Sequence, residues 1–238
     1  MRTPSRLARA LAVATLPLAL AACGSHDSSS ASASATPSAS ATKDPNAGLL
    51  TGTQLKKALA PASAFPAGLV PVPQGASDSG GKFLAPQPGK TGKPDCTKLN
   101  TTAWVSVAGP RGGVSYANDD RMDKSQTAEI AQEIDEFPGT AAAAALKDVR
   151  AITATCPTFT DTDLHAKVKV SGRSVPGLGD EAYAITLTSA GWENGTTLMA
   201  ARQGNAVVTV MSTAGSDNGA AGAKKVAEQV VGSLQKQS

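Results

Sequence analysis

Aromatic side chains make up 3 % of this 238-residue chain. Its core therefore has to be assembled from Ala, Val, Leu and Ile, and flat platforms for stacking sugars or bases are scarce. Trp104 and Trp192 are the obvious exceptions, and a tryptophan serves a core more often than a ligand. Histidine is almost missing: His26 and His165 are the only two, which gives a zinc site little to build on. No internal repeat is found, and the one long apolar run has the length of an export signal rather than of a membrane span, which needs about 20 residues. The formal charge of +3 also proves empty, because it is carried by Arg2, Arg6 and Arg9 at the extreme N-terminus. Without that leader the chain keeps 19 basic residues against its 19 acidic ones. A protein that handles nucleic acid shows a basic patch or stripe; none is present, and nucleic acid is excluded as a partner.

The leader itself is informative. Three arginines precede an apolar segment from Leu11 to Ala22, and the segment ends Leu20-Ala21-Ala22-Cys23-Gly24. This resembles the lipobox of bacterial lipoproteins, in which the cysteine thiol takes a diacylglycerol through a thioether and becomes the new N-terminus. An ordinary secretory signal with a chance cysteine is the alternative. Two acyl chains suffice for stable anchoring, so the expected address is the outer face of a cell membrane. From Ser25 to Asn46 the chain is mostly Ser, Ala, Thr and Pro with no aromatic residue; such a composition cannot bury a core. As a flexible tether of about 22 residues it reaches roughly 25 Å. His26 is expected to be solvated within it. The expected organisation is a signal peptide over 1–22, a lipidated cysteine and disordered tether over 23–47, and one folded domain over 48–238.

With Cys23 taken by lipid, Cys96 and Cys156 remain as a pair in an oxidising compartment. A disulfide is the default there, with two free thiols or a metal site as the rival readings.

Local patterns predict an α+β domain: an antiparallel sheet, largely a meander, flanked by two or three helices. Thr51 and Gln54 have capping-box spacing, Leu50 and Leu55 can staple across the cap, and Pro61 stops the short helix. Residues 62–93, rich in Pro, Gly, Ser and Lys, are predicted as a long loop. "TAWVSVAG" and "GGVSYAND" predict two strands, and "TAEIAQEIDEF" a third, although Ile130 and Ile134 also fit a helix. After Pro138 and Gly139, "TAAAAALKDVRAITATC" puts Ala142, Leu146, Val149 and Ile152 on one helical face. Four alternating segments follow, "HAKVKVSG", "EAYAITLTS", "TTLMAARQ" and "NAVVTVMST", with Asn194-Gly195 and Gly204-Asn205 as tight turns. A closing helix over 219–235 lines up Ala223, Val226, Val230, Val231 and Leu234.

The leading Leu-Leu-Thr helix, the cysteine of "DCTKL", the run "EIDEFPGTAAAAALKDVRAITATCPTF", "VPGLGDEAYAIT", "LMAARQGNAVVTVM" and the final amphipathic helix occur in this order. In that order they resemble the PknH-like extracellular sensor domain, a family that includes the outer domain of a mycobacterial membrane serine/threonine kinase and many actinobacterial lipoproteins. The resemblance spans most of Gly48 to Gln235. It implies an antiparallel sheet with flanking helices around a cleft, and a domain that binds. The chain departs from the kinase in carrying no kinase domain, no transmembrane helix and no cysteines for the second disulfide of its sensor. No binding residue transfers from the family.

Motifs for chemistry fail on inspection. "GKTGK" would be a phosphate loop only with Gly at position 84, where Leu84 stands. "GLGDEA" precedes a strand, and Asp180 and Glu181 would repel a pyrophosphate; a tight turn is the better reading. Lys90-Thr91-Gly92, Ser216-Asp217-Asn218 and Ser233 with Lys236 imitate the penicillin-recognising motifs in reverse order. His165 lies near Asp161 and Asp163 but has no nucleophile-elbow partner. The acids of "NDDRMD" and "TDTD" lack calcium-loop spacing. No catalytic residue, metal ligand or cofactor is expected, and the ligand-binding residues are unknown at this point. Asp161, Asp163, Asp180 and Glu181 leave glycoside cleavage by paired carboxylates open. The expected function is a membrane-anchored, non-enzymatic sensor-like domain for a small molecule, a lipid or a cell-wall fragment. An envelope-acting hydrolase or transferase, or a structural module for an unknown protein partner, are the alternatives.

Overall fold

A computed structural model describes residues 44–85, 93–100, 113–162 and 165–237. Among them are three α-helices, α1 (Gly52–Ala58), α2 (Ala141–Thr155) and α3 (Ala220–Gln235), and nine strands. The strands are β1 (Val70–Pro71), β2 (Ser77–Asp78), β3 (Ser115–Met122), β4 (Glu129–Glu136), β5 (Thr158–Thr160), β6 (Lys167–Ser174), β7 (Glu181–Ser189), β8 (Thr196–Gln203) and β9 (Ala206–Ser212). They form one antiparallel sheet in the order β1-β3-β4-β9-β8-β7-β6-β5, with β2 also paired to β3. The α+β class is as expected. The meander is β6 to β9; β3 and β4 extend it as a hairpin laid against β9, with Ile134 opposite Val208 and Gln132 opposite Val210.

Side-chain alternation in the central strands sends successive residues to opposite layers. Met199 and Ala201 of β8 and Val208 and Val210 of β9 pack beneath α1 and α3. Leu198 and Ala200 of β8 and Met211 of β9 pack beneath α2. Both faces are covered, so β9 is buried along its whole length. The helices obey the predicted stripes: Ala142, Leu146, Val149 and Ile152 of α2 are buried, as are Ala223, Val226, Val230, Val231 and Leu234 of α3.

Helix α1 begins as its sequence predicts. The Thr51 amide donates to Gln54 Oε1 at 2.8 Å, and Leu50 and Leu55 join the same apolar cluster. The chain leaving α1 is fixed to β4 by an amide that imitates a strand partner: Gln132 accepts from the Ala60 N–H at 2.8 Å and donates to the Ala60 carbonyl at 3.2 Å. Gln132 is 1 % exposed, so both of its hydrogen-bonding functions have to be met by protein, and they are.

Two local expectations are corrected, and one strand is added. Residues 62–85 of the predicted loop contain a 3₁₀ turn at Ala62–Ala64 and the strands β1 and β2, which pair with the edge of β3. Strand β5 was not anticipated. Asn194-Gly195 is not a two-residue turn, because β7 ends at Ser189; the Gly195 amide instead donates to Asn218 Oδ1 at 2.9 Å. The strand predicted at "TAWVSVAG", with Trp104, lies outside the described residues.

Candidate functional site

The β8–β9 hairpin closes through Gly204-Asn205, as predicted, with Gly204 at φ +58°, a conformation that favours glycine. The turn stands at one end of the sheet beside the start and finish of the domain, and together they enclose a cleft of about 240 Å³. Gly48 and Leu50 form one wall, Leu234 and Gln237 another, and Gln203, Asn205 and Ala206 the rim. Glu136, the last residue of β4, lines the cleft. Hydrogen bonds hold these walls. The Ser115 hydroxyl donates to the Leu50 carbonyl at 2.5 Å, the Phe137 amide donates to the Asn205 carbonyl at 2.9 Å, and Gln235 Nε2 donates to Gln203 Oε1 at 3.1 Å.

Glu136 is 4 % exposed. Its one described side-chain hydrogen bond is a long one, from the Leu50 amide to Oε1 at 3.4 Å. Among the described residues no Lys, Arg or His pairs with it. Loss of water pushes its carboxyl up to about 7, and the Leu50 amide opposes that only in part. The sequence carries a signal for this residue that went unread. Ile130, Ile134 and Glu136 share one parity along β4, so an acid continues an apolar stripe into the layer that α3 covers.

A second group of acids lies on the opposite face of the same strands. Glu133 and Asp135 of β4 and Asp120 of β3 project toward the α2 side, as does Glu129. Burial pushes Asp120 up to about 6 and Glu133 up to about 7, and raises Glu129 and Asp135; Glu133 also repels Asp135. The space bounded by Asp120, Gln132, Glu133, Thr209 and Met211 is only about 10 Å³. That is about the volume needed for one water, so Asp120 and Glu133 border a packed seam with no room for a larger occupant at that space. Among the described residues, no group of three His, Cys, Asp or Glu side chains is arranged to hold a metal ion.

The remaining sequence candidates have structural positions of their own. Cys96 and Cys156 are joined as a disulfide with Cα atoms 5.7 Å apart, which ties the 3₁₀ turn Cys96–Asn100 to the end of α2. Asp180 and Glu181 are not a free acid pair: Arg202 contacts Asp180 Oδ2 at 2.8 Å and Glu181 Oε1 at 3.0 Å, and Arg150 reaches Glu181 Oε2 at 2.9 Å. "GLGD" is a turn leading into β7, as expected, and Gly179 is required there because a Cβ would stand 2.4 Å from the Arg202 carbonyl oxygen. Asp180 also accepts from the Gly204 amide at 2.9 Å, so this turn steadies the rim of the cleft. Asp161 is buried. His165 lies just before β6 with φ +50°, and Asp163 falls outside the described residues, as do Cys23, His26 and Lys90-Thr91-Gly92. Asp123 of "NDDRMD" closes the β3–β4 turn by accepting from the Thr127 and Ala128 amides at 2.8 and 2.9 Å. These bonds, with that from Ser125, hold its carboxyl down at about 2. Trp192 packs against the α2-side cluster, away from the cleft.

No protein-family model matches the chain, and no curated protein matches it.

Proposed function

We propose that this chain is an exported lipoprotein, anchored through a diacylated Cys23 to the outer face of a cell membrane, whose domain binds a small ligand. The observation that carries the binding reading is the cleft of about 240 Å³ with the buried carboxyl of Glu136 on its wall and side-chain amides at its rim. Few convergent polar groups around a concave space are the mark of a binding site. Its volume falls below the roughly 300–1,000 Å³ of drug-sized pockets, which favours a small molecule or a fragment of the cell wall over an intact lipid. The likeness to the PknH-like extracellular sensor domain supports the same reading. The leader and the Leu-Ala-Ala-Cys sequence support the address.

Three measurements test it. Cell fractionation should place the wild type in the membrane, and Cys23→Ala should release it or leave it unprocessed; a wholly soluble wild type would overturn the anchor. Native mass spectrometry of protein taken from its own membrane should find a retained small molecule, lost when Asn205→Trp fills the rim. Retention unchanged by that substitution overturns the assignment of the cleft. Turnover of a glycan, peptide or acyl ester by the wild type, removed by Glu136→Gln with the fold intact, would replace the binding reading by an enzymatic one.

A further inference from the structure

The chemistry around Glu136 restricts what the cleft can accept. A carboxylate withdrawn from water needs charge-assisted partners or it takes up a proton. Glu136 has one amide at 3.4 Å, longer than the usual N–H···O range of 2.7–3.2 Å. No described cation pairs with it, and no described residue lining the cleft carries a positive charge. Glu136 is therefore left to take up a proton or to accept a counter-charge brought by an occupant. A divalent metal ion fits poorly, because one carboxylate and a few amide oxygens supply little negative charge for a hard cation. A primary ammonium fits well: it has three donors and a single charge.

The rest of the lining defines the other end of the occupant. Gln203, Asn205 and Gln237 each offer an amide that both donates and accepts, which suits hydroxyl and amide groups on a ligand. Leu50, Ala206 and Leu234 supply a short apolar wall. Among the described residues no aromatic ring lines the cleft, which leaves stacking on a flat ring without a described platform.

We propose that the cleft selects a small polar molecule bearing a protonated primary amine, with Glu136 as its counter-ion and the rim amides holding its hydroxyl or amide groups. This rests on the cleft being the binding site. Amino sugars and small amino alcohols belong to this class.

The test uses two pairs of probes that differ in the amine: glucosamine against glucose, and ethanolamine against ethylene glycol. Each is titrated into the mature full-length protein at pH 7.5, followed by the backbone amide signals of Leu50, Asn205 and Gln237. The amine of at least one pair should shift these signals, with an affinity about tenfold above its neutral partner, the gain of a charged over a neutral hydrogen bond. Glu136→Gln should erase that preference, and Glu136→Asp, which keeps the charge, should retain part of it. Lowering the pH to 5 should weaken the amine in the wild type, since the carboxyl is then protonated. If the neutral partners bind as tightly as the amines, the ammonium inference fails and the binding site stands. If Glu136→Gln keeps the preference, Glu136 is not the counter-ion. If no probe moves the three signals, selection of this class is overturned, while the retained-ligand measurement still judges the binding reading separately.

Discussion

Asp135 and Glu136 are neighbours in sequence, 7 % and 4 % exposed, and both carboxyls are raised by burial. Strand geometry sends them to opposite layers, and there their situations diverge. Asp135 enters the α2 layer, where Glu133 stands two residues away on the same face and borders a space of about 10 Å³. Glu136 enters the α3 layer and borders about 240 Å³. Burial and a shifted carboxyl are thus shared by a packed seam and a candidate site. What separates them is room for an occupant and the absence, among described residues, of a second acid to share the proton.

The strongest way to break this contrast is to loosen the α2 layer alone. Cys156→Ser removes a bridge between residues 60 apart, and the chain-entropy model gives a loss of about 4 kcal/mol. The urea midpoint should fall accordingly, while the amide signals of the Glu136 cleft stay at wild-type positions in the folded state. An unchanged midpoint, or recovery of Cys96 and Cys156 as free thiols from exported protein, would refute the staple.

A smaller effect sharpens the seam. Asp120 at about 6 and Glu133 at about 7 lie above their ordinary values of 3.8 and 4.5, so the folded domain holds more protons than the unfolded chain across that interval. Stability from these acids is complete below about pH 4 and is lost as pH rises through 6 and 7. Asp123 acts oppositely: held down at about 2, it contributes above its ordinary value and fails as pH drops toward 2. The melting temperature should therefore be highest near pH 4 and fall as pH rises toward 7. Glu133→Gln should raise it at pH 8 by several degrees, at roughly 2–4 °C per kcal/mol for a domain of this size, and change it little at pH 4. A melting temperature that climbs from pH 5 to pH 8 in the wild type would contradict the seam.

The smallest expected effect couples the two layers. Arg202 and Asp180 belong to the α2 side, yet both bond the Gly204 backbone that carries the cleft rim. Partly exposed ion pairs contribute little, so Arg202→Ala should cost about 1 kcal/mol or less. Its clearer signature is local: hydrogen exchange at Gly204 and Asn205 should quicken while that of Val208 in β9 stays slow. Equal protection at the turn in both proteins would separate the layers altogether.

Legibility in the sequence followed the same physical divide. Strands β7, β8 and β9 and helices α2 and α3 were readable because each buries a long periodic set of apolar residues. Strands β1 and β2 were not, since two-residue segments such as Val70–Pro71 have no period to detect and are held by the waiting edge of β3. Asn194-Gly195 misled because Gly195 is fixed by distant Asn218, a contact that no local pattern announces. The cleft stayed hidden for a related reason. Its parts come from four separated stretches; the Gly204-Asn205 turn and Glu136, an acid on the face of Ile130 and Ile134, are the marks that one stretch alone could show.

That assembly has a temporal consequence. Gly48 and Leu50 belong to the opening of the domain, Leu234 and Gln237 to its close, and both line one cleft. The β-hairpins can pair while synthesis continues, but the cleft wall has to wait for α3 to be made and docked. Every folding intermediate that lacks α3 therefore presents Glu136 to water as an ordinary surface acid, and ligand recognition switches on only with the last docking step.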